Sequence, residues 1–210
     1  MKLIDMQMQN YLQLVASDAP APGGGSASAL CGSQGIGLVA MVAKLTSGKE
    51  KFAAYRPVCN AVLAEADTLC KQLAAQVDAD TEAYGRISAA FKLPKNTDEE
   101  KSLRKKAIGE ATVYATEVPL ETMRLGVRGL ECAAKLIGNY NTNCASDVGC
   151  GIFGLLSCVK GAELNVLINV GGIHDAELAA RLQNESKVLS TNAEKIAAEL
   201  SLQITAAIRK

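Results

Sequence analysis

Alanine-rich segments with helical spacing run through most of this chain, and strand signals are almost absent. Few β-branched residues alternate with polar ones, and aromatic residues make up only 4%. The expected fold is therefore all-α, a single-domain bundle of about six long helices across residues 1–210. Hydrophobic residues at 49% and charged residues at 21% fit one globular domain. A monomer of this mass buries about 70% of the surface its unfolded chain exposes, so a core forms without disulfides or metals.

Local signals place the helices. The first is expected over about Asp5–Ala16, with Met8, Tyr11, Leu12 and Val15 on its apolar face. A Pro-Gly loop follows, and a second helix runs from a Ser26 cap to Ser47, where Gly48 suits a left-handed closing residue. Between Ala19 and Ala43 there is no charge, but Ser26, Ser28, Ser33 and Gln34 interrupt the apolar run, which reads as a buried helix rather than a membrane span. Pro57 fits the first turn of a third helix reaching about Phe91. Thr97 with Glu100 forms a capping box that opens a fourth helix to about Ile137, with a kink expected at Pro119. A nearly uncharged fifth helix over about Cys144–Val170 is expected at the centre of the bundle, and an amphipathic sixth covers about Asp175–Ile208.

Composition narrows the chemistry. Twenty-two basic and twenty-two acidic side chains balance, which argues against a nucleic-acid or anionic-membrane partner and for a small-molecule or protein ligand. His174 is the single histidine, so a multi-histidine metal site is impossible and a Ser-His or Cys-His dyad must use that residue; no metal is expected. Seven cysteines without a C-x-x-C pair read as buried thiols of a reducing, cytoplasmic setting, and the amino terminus has no signal-peptide character.

Three clusters can carry chemistry. Gly23, Gly24, Gly25 and Ser26 leave backbone N–H groups free at a helix start, a seat for an anion, although a tight structural turn explains them equally well. Asn141, Asn143, Ser146 and Asp147 precede Asn165 and Asn169. Asp147 and Asn165 are 18 residues apart, five helical turns, so they point the same way, into a polar pocket or a subunit interface; the alternative is helix capping by Asn143 or Ser146 with a satisfied core network. Asp78, Asp80 and Glu82 put carboxylates on a helix whose faces differ by about 200° between Asp78 and Asp80. At least one faces the bundle, where burial lifts a carboxyl pKa toward the range of a general base, though a solvated acidic face is the commoner outcome of such spacing. Lys44, Lys49 and Lys51 gather at the end of the second helix, where the helix dipole alone accounts for them.

In order along the chain, Pro20-Ala-Pro-Gly-Gly-Gly-Ser26, Met41-Val-Ala-Lys-Leu-Thr46 with Gly48-Lys49, Asp78-Ala-Asp80, Leu93-Pro-Lys95 with Glu99-Glu-Lys101, Asn141-x-Asn143-x-x-Ser146-Asp147 and Asn165-Val-x-Ile-Asn169 resemble the cyclodeaminase/cyclohydrolase family. The resemblance implies an all-helical subunit, assembled as a homodimer, that binds a tetrahydrofolate derivative near the subunit interface and holds no permanent cofactor. It places a catalytic acidic residue at Asp78 or Asp80. The Gly23–Ser26 turn, Asn141, Asn143, Ser146, Asp147 and Asn165 would line the folate site, with Lys44, Lys49 or Lys51 near the glutamate carboxylates.

Two reactions fit that resemblance. A cyclohydrolase adds water to the methenyl carbon that bridges N5 and N10 of the folate, whereas a cyclodeaminase closes that bridge from an N5-formimino group and releases ammonia. Both pass through a tetrahedral carbon, so one proton-moving carboxylate and a set of orienting amides serve either. The reading from another class is a non-catalytic helical binding or scaffold protein, in which the loop and the asparagines only fix helix packing.

Overall fold

The computed structural model describes residues 2–209. Among these the chain forms six α-helices: α1 Met8–Val15, α2 Gly24–Ser47, α3 Arg56–Phe91, α4 Asp98–Leu136, α5 Ala145–Val170 and α6 Ala176–Ile208. Short 3-10 turns at Leu3–Asp5, Glu50–Tyr55 and Thr142–Cys144 supplement them. No strand occurs among the described residues, as the periodicity requires.

The caps follow the local chemistry in most places. The Thr97 hydroxyl accepts from the Glu100 N–H while the Glu100 carboxylate accepts from the Thr97 N–H, a complete capping box at the start of α4. Asp175 caps α6 by accepting from the N–H groups of Glu177 and Leu178. Two expected termini differ. α2 begins at Gly24 with Gly23 as its cap, so Ser26 is an interior residue of the first turn. Gly48 closes α2 with φ −74°, in the right-handed region, because the chain turns directly into the next 3-10 helix; the left-handed glycine is Gly138, at φ +82°, after α4.

α2 and α5 run antiparallel through the core, Gly24 lying against Asn165 at one end and Thr46 accepting from the Asn141 N–H, 3.0 Å, at the other. Glycines allow this approach. A Cβ on Gly35 would sit 2.7 Å from the Gly151 carbonyl oxygen, and one on Gly32 would sit 2.6 Å from the Cys158 sulfur. Gly37 meets nothing within 4 Å. Gly35→Ala is therefore expected to destabilise the fold by about 1–3 kcal/mol through overpacking. Gly37→Ala is expected to stabilise it by up to about 1 kcal/mol through helix propensity. Urea unfolding of the two variants reads that difference in sign.

Three expectations need correction. In α1 only Tyr11 is buried, against Ala29 and Val77, while Met8, Leu12 and Val15 are 54%, 58% and 42% exposed, because this one short helix meets the bundle along a narrow strip. Cys150 is exposed and Cys31 and Cys70 are half-buried, so the thiols are not uniformly interior. As expected, α4 runs through the buried Pro119 to Leu136 as one helix. α5 packs on α2, α4 and α6, yet it leaves Phe153, Leu164 and Ile168 exposed, so it is a core helix with one uncovered apolar side. By length and composition both α2 and α5 are apolar enough to cross a membrane, with mean hydropathy 1.4 and 1.5, and here they form the centre of the bundle.

Candidate active site

The start of α2 meets the middle of α3 through one carboxylate. Asp80 Oδ2 accepts from the Ser26 N–H at 2.9 Å and lies 3.2 Å from the Ser26 hydroxyl. The first turn of a helix leaves N–H groups without intrahelical partners, and an anion there is favoured by the helix dipole. The anion in that seat is the chain's own Asp80. Gly25 makes the approach possible, since a Cβ there would fall 2.0 Å from Asp80 Oδ1.

Asp80 carries a pKa raised from the ordinary carboxyl value. Burial is the leading cause, opposed by hydrogen bonds from the Ser26 N–H and hydroxyl. The Ser26 hydroxyl has one proton and three neighbouring acceptors: the Val77 carbonyl at 2.7 Å, Asp80 Oδ2 at 3.2 Å and the Thr81 hydroxyl at 3.3 Å. Rotation of that hydroxyl lets Asp80 exist as carboxylate or as acid without a buried group losing its partner.

Asp78 points elsewhere. Its Oδ1 accepts from the Leu3 N–H at 2.6 Å and so ties the amino-terminal turn to α3. Glu82 is exposed.

Asp80 lines a cleft of about 150 Å³ with Gly23, Gly24, Thr81, Tyr84, Asn165 and Asn169. Asn165 Nδ2 donates to the Gly161 carbonyl at 2.9 Å. Asn169 Nδ2 donates to the Ala115 carbonyl at 2.7 Å. The second bond has a cause in the sequence: Pro119 has no N–H, so the carbonyl four residues earlier, Ala115, has no helical partner, and Asn169 supplies the donor. The proline at 119 signals an orphan carbonyl at 115; which residue fills it depends on the tertiary packing of α5 on α4.

The other expected site residues lie at the far end of the α2–α5 pair. Asn141 is buried, accepts from the Asn143 N–H at 3.4 Å, and shapes the turn before α5. Asn143 and Ser146 are exposed and border a second cleft of about 560 Å³ with Ala207 and Ile208. Asp147 is half-buried there. Lys44 is exposed and lies 3.9 Å from Asp67, Lys49 is exposed, and Lys51 sits over the Phe52 ring. Eighteen helical residues from Asp147 to Asn165 span about 27 Å, so one subunit does not bring this group to Asp80. A third cleft, about 400 Å³ between α3 and α4, holds Arg86 stacked on Tyr114, with Glu110 as the carboxylate in its lining.

The sequence matches a family described as formiminotransferase-cyclodeaminase over residues 7–188. It is 36% identical to a methenyltetrahydrofolate cyclohydrolase of Methylorubrum extorquens over 186 residues, 89% of each chain. It is 32% identical over 193 residues to the formimidoyltransferase-cyclodeaminase of Gallus gallus, covering 88% of this chain but only 36% of that longer protein. The fold matches the crystal structure of a formiminotetrahydrofolate cyclodeaminase from Thermotoga maritima with a TM-score of 0.87 at 21% identity, covering 99% of this chain and all of that one.

Proposed function

The chain belongs to the formiminotransferase-cyclodeaminase family and is a folate one-carbon enzyme; from that premise we propose that it is a methenyltetrahydrofolate cyclohydrolase whose acid-base group is Asp80. The observation that carries the assignment of Asp80 is its position: a carboxyl with a raised pKa, lining a cleft at the start of α2, with a rotatable hydroxyl beside it. Asp78 has its oxygen committed to the Leu3 N–H. The relative covered to 89% on both sides favours the cyclohydrolase reaction.

In that reaction water adds to the bridging carbon of the methenyl cation and gives one proton to the Asp80 carboxylate. The tetrahedral carbinol then breaks its bond to N5 as N5 takes the proton back from Asp80 and the carbinol hydroxyl loses its proton to solvent. The product is the N10-formyl folate, with one proton released overall. A carboxyl whose pKa has moved toward neutrality suits both transfers.

The bifunctional relatives and the structural neighbour favour a second reading, cyclodeamination. There N10 attacks the formimino carbon and loses its proton through Asp80. The terminal nitrogen gains one proton from that transfer and one from solvent, leaves as ammonia, and the methenyl bridge remains.

The substrate is too large for the Asp80 cleft, since small-molecule sites usually enclose about 300–1,000 Å³. We infer that a second subunit completes the site. A two-fold axis across the middle of the antiparallel α2–α5 pair exchanges its ends. It would bring Lys44, Lys49, Lys51, Asn143 and Ser146 of the partner subunit toward Asp80, with the lysines placed for folate carboxylates. The exposed Met41 and Leu45 of α2 and Phe153, Leu164 and Ile168 of α5 supply apolar surface for that contact.

The reaction is tested by following purified protein with methenyltetrahydrofolate and, separately, with formiminotetrahydrofolate. Loss of the methenyl chromophore above the spontaneous rate, with no conversion of the formimino compound, is the expected result. Turnover of the formimino compound would establish the deaminase instead, and no reaction or binding of either folate would leave the non-catalytic reading.

A further inference from the structure

The two asparagines of the cleft are fixed in one orientation by chemistry. A carbonyl oxygen only accepts, so the amide atoms facing Gly161 and Ala115, at 2.9 and 2.7 Å, must be the NH₂ groups. Each Oδ1 is left without a partner among the described residues, as the group free to meet a ligand. For Asn169 the orientation is enforced from α4, because Pro119 leaves the Ala115 carbonyl in need of that donor. With the Asp80 carboxyl, three acceptor groups surround one small cleft. The Thr81 and Tyr84 hydroxyls adapt to either role, and the fixed donors are the backbone N–H groups at the start of α2 and the second N–H of each asparagine amide.

We propose that Asn169, oriented by the Pro119-freed carbonyl, is a specificity-determining residue that makes this cleft a pocket for a small hydrogen-bond donor, the water or ammonia exchanged at the folate carbon. The inference rests on the proposed folate site and adds which component of the reaction occupies the cleft. Its size agrees: about 150 Å³ holds a few molecules at the roughly 30 Å³ each occupies in liquid water, not a folate. Its polarity agrees too. A water whose hydrogens are both held by acceptors directs its lone pairs outward to the carbon, and an ammonia or ammonium finds several acceptors at once.

The probe is ammonium chloride, with potassium chloride at equal ionic strength as the control. Two readouts are used, the side-chain amide resonances of Asn165 and Asn169 in isotope-labelled protein and the initial rate of methenyltetrahydrofolate hydrolysis. Ammonium, and not potassium, is expected to shift both amides and to slow hydrolysis. Asn169→Leu is expected to weaken ammonium binding, read on Asn165, by about tenfold or more, the effect of losing a hydrogen bond to a charged group.

That variant also strands the Ala115 carbonyl, so the double variant Pro119→Ala with Asn169→Leu restores a backbone N–H to it. The double variant should regain thermal stability over Asn169→Leu while keeping the weak ammonium response. Recovery of the ammonium response in the double variant would make Asn169 merely structural and overturn the proposal. So would equal effects of ammonium and potassium on the wild type. The resonance readout needs no turnover, so failure of the folate reading alone would show as ammonium binding without folate chemistry.

Discussion

Asp80→Asn is expected to lower turnover of the folate substrate by about 100- to 10,000-fold, the range that a general acid-base group contributes. The same change is expected to raise stability at neutral pH. Asp80 has a pKa above the ordinary carboxyl value, so between that value and its own pKa the native state binds more protons than the unfolded one. Stability therefore falls as pH rises through that window, and the deficit persists above it. Asparagine retains an acceptor for the Ser26 N–H without the charge, so its unfolding midpoint should lack that pH-dependent loss. Urea unfolding across the acid range, beside turnover at neutral pH, checks both halves. Asp78→Asn keeps an acceptor for the Leu3 N–H and should stay near wild type in turnover. Comparable losses in both variants would remove the distinction between the two carboxylates.

The second large effect concerns the subunit contact. Phe153→Asp places a charge on the apolar side of α5, where Phe153 is 57% exposed in a single subunit. An unpaired charge buried in a contact costs about 3–5 kcal/mol, enough to weaken a dimer by more than about 100-fold. The expected result by light scattering is a shift from twice 22.0 kDa to the single-chain mass. Turnover should be lost along with the dimer, because the partner's lysines and the Asp80 cleft separate. A monomeric variant with full activity would show that one subunit carries the whole site.

Much of this could be read from residue order. Six helices follow from apolar spacing and from local caps such as Thr97 and Pro57, whose physics lies within a few residues of each terminus. The choice between Asp78 and Asp80 was beyond that reading, since it depends on which neighbour each side of α3 meets: the amino-terminal turn on one side, the first turn of α2 on the other. The separation of Asp80 and Asn165 from Asn143, Ser146 and the lysines was likewise hidden, because position along a helix becomes distance only once the pairing of α2 with α5 is known. The uncovered side of α5 misleads for a related reason. An almost uncharged helix has the composition of a core element whether its last face meets its own chain or another copy.

The most direct test of the account is a crystal structure with 5-formyltetrahydrofolate, a stable compound carrying one carbon on N5. That carbon is expected beside the Asp80 carboxyl, within about 3 Å or bridged by one water, with the glutamate end toward Lys44, Lys49 and Lys51 of the partner subunit. A folate bound with its one-carbon end away from Asp80, in the cleft beside Asn143 and Ser146 of the same chain, would contradict it.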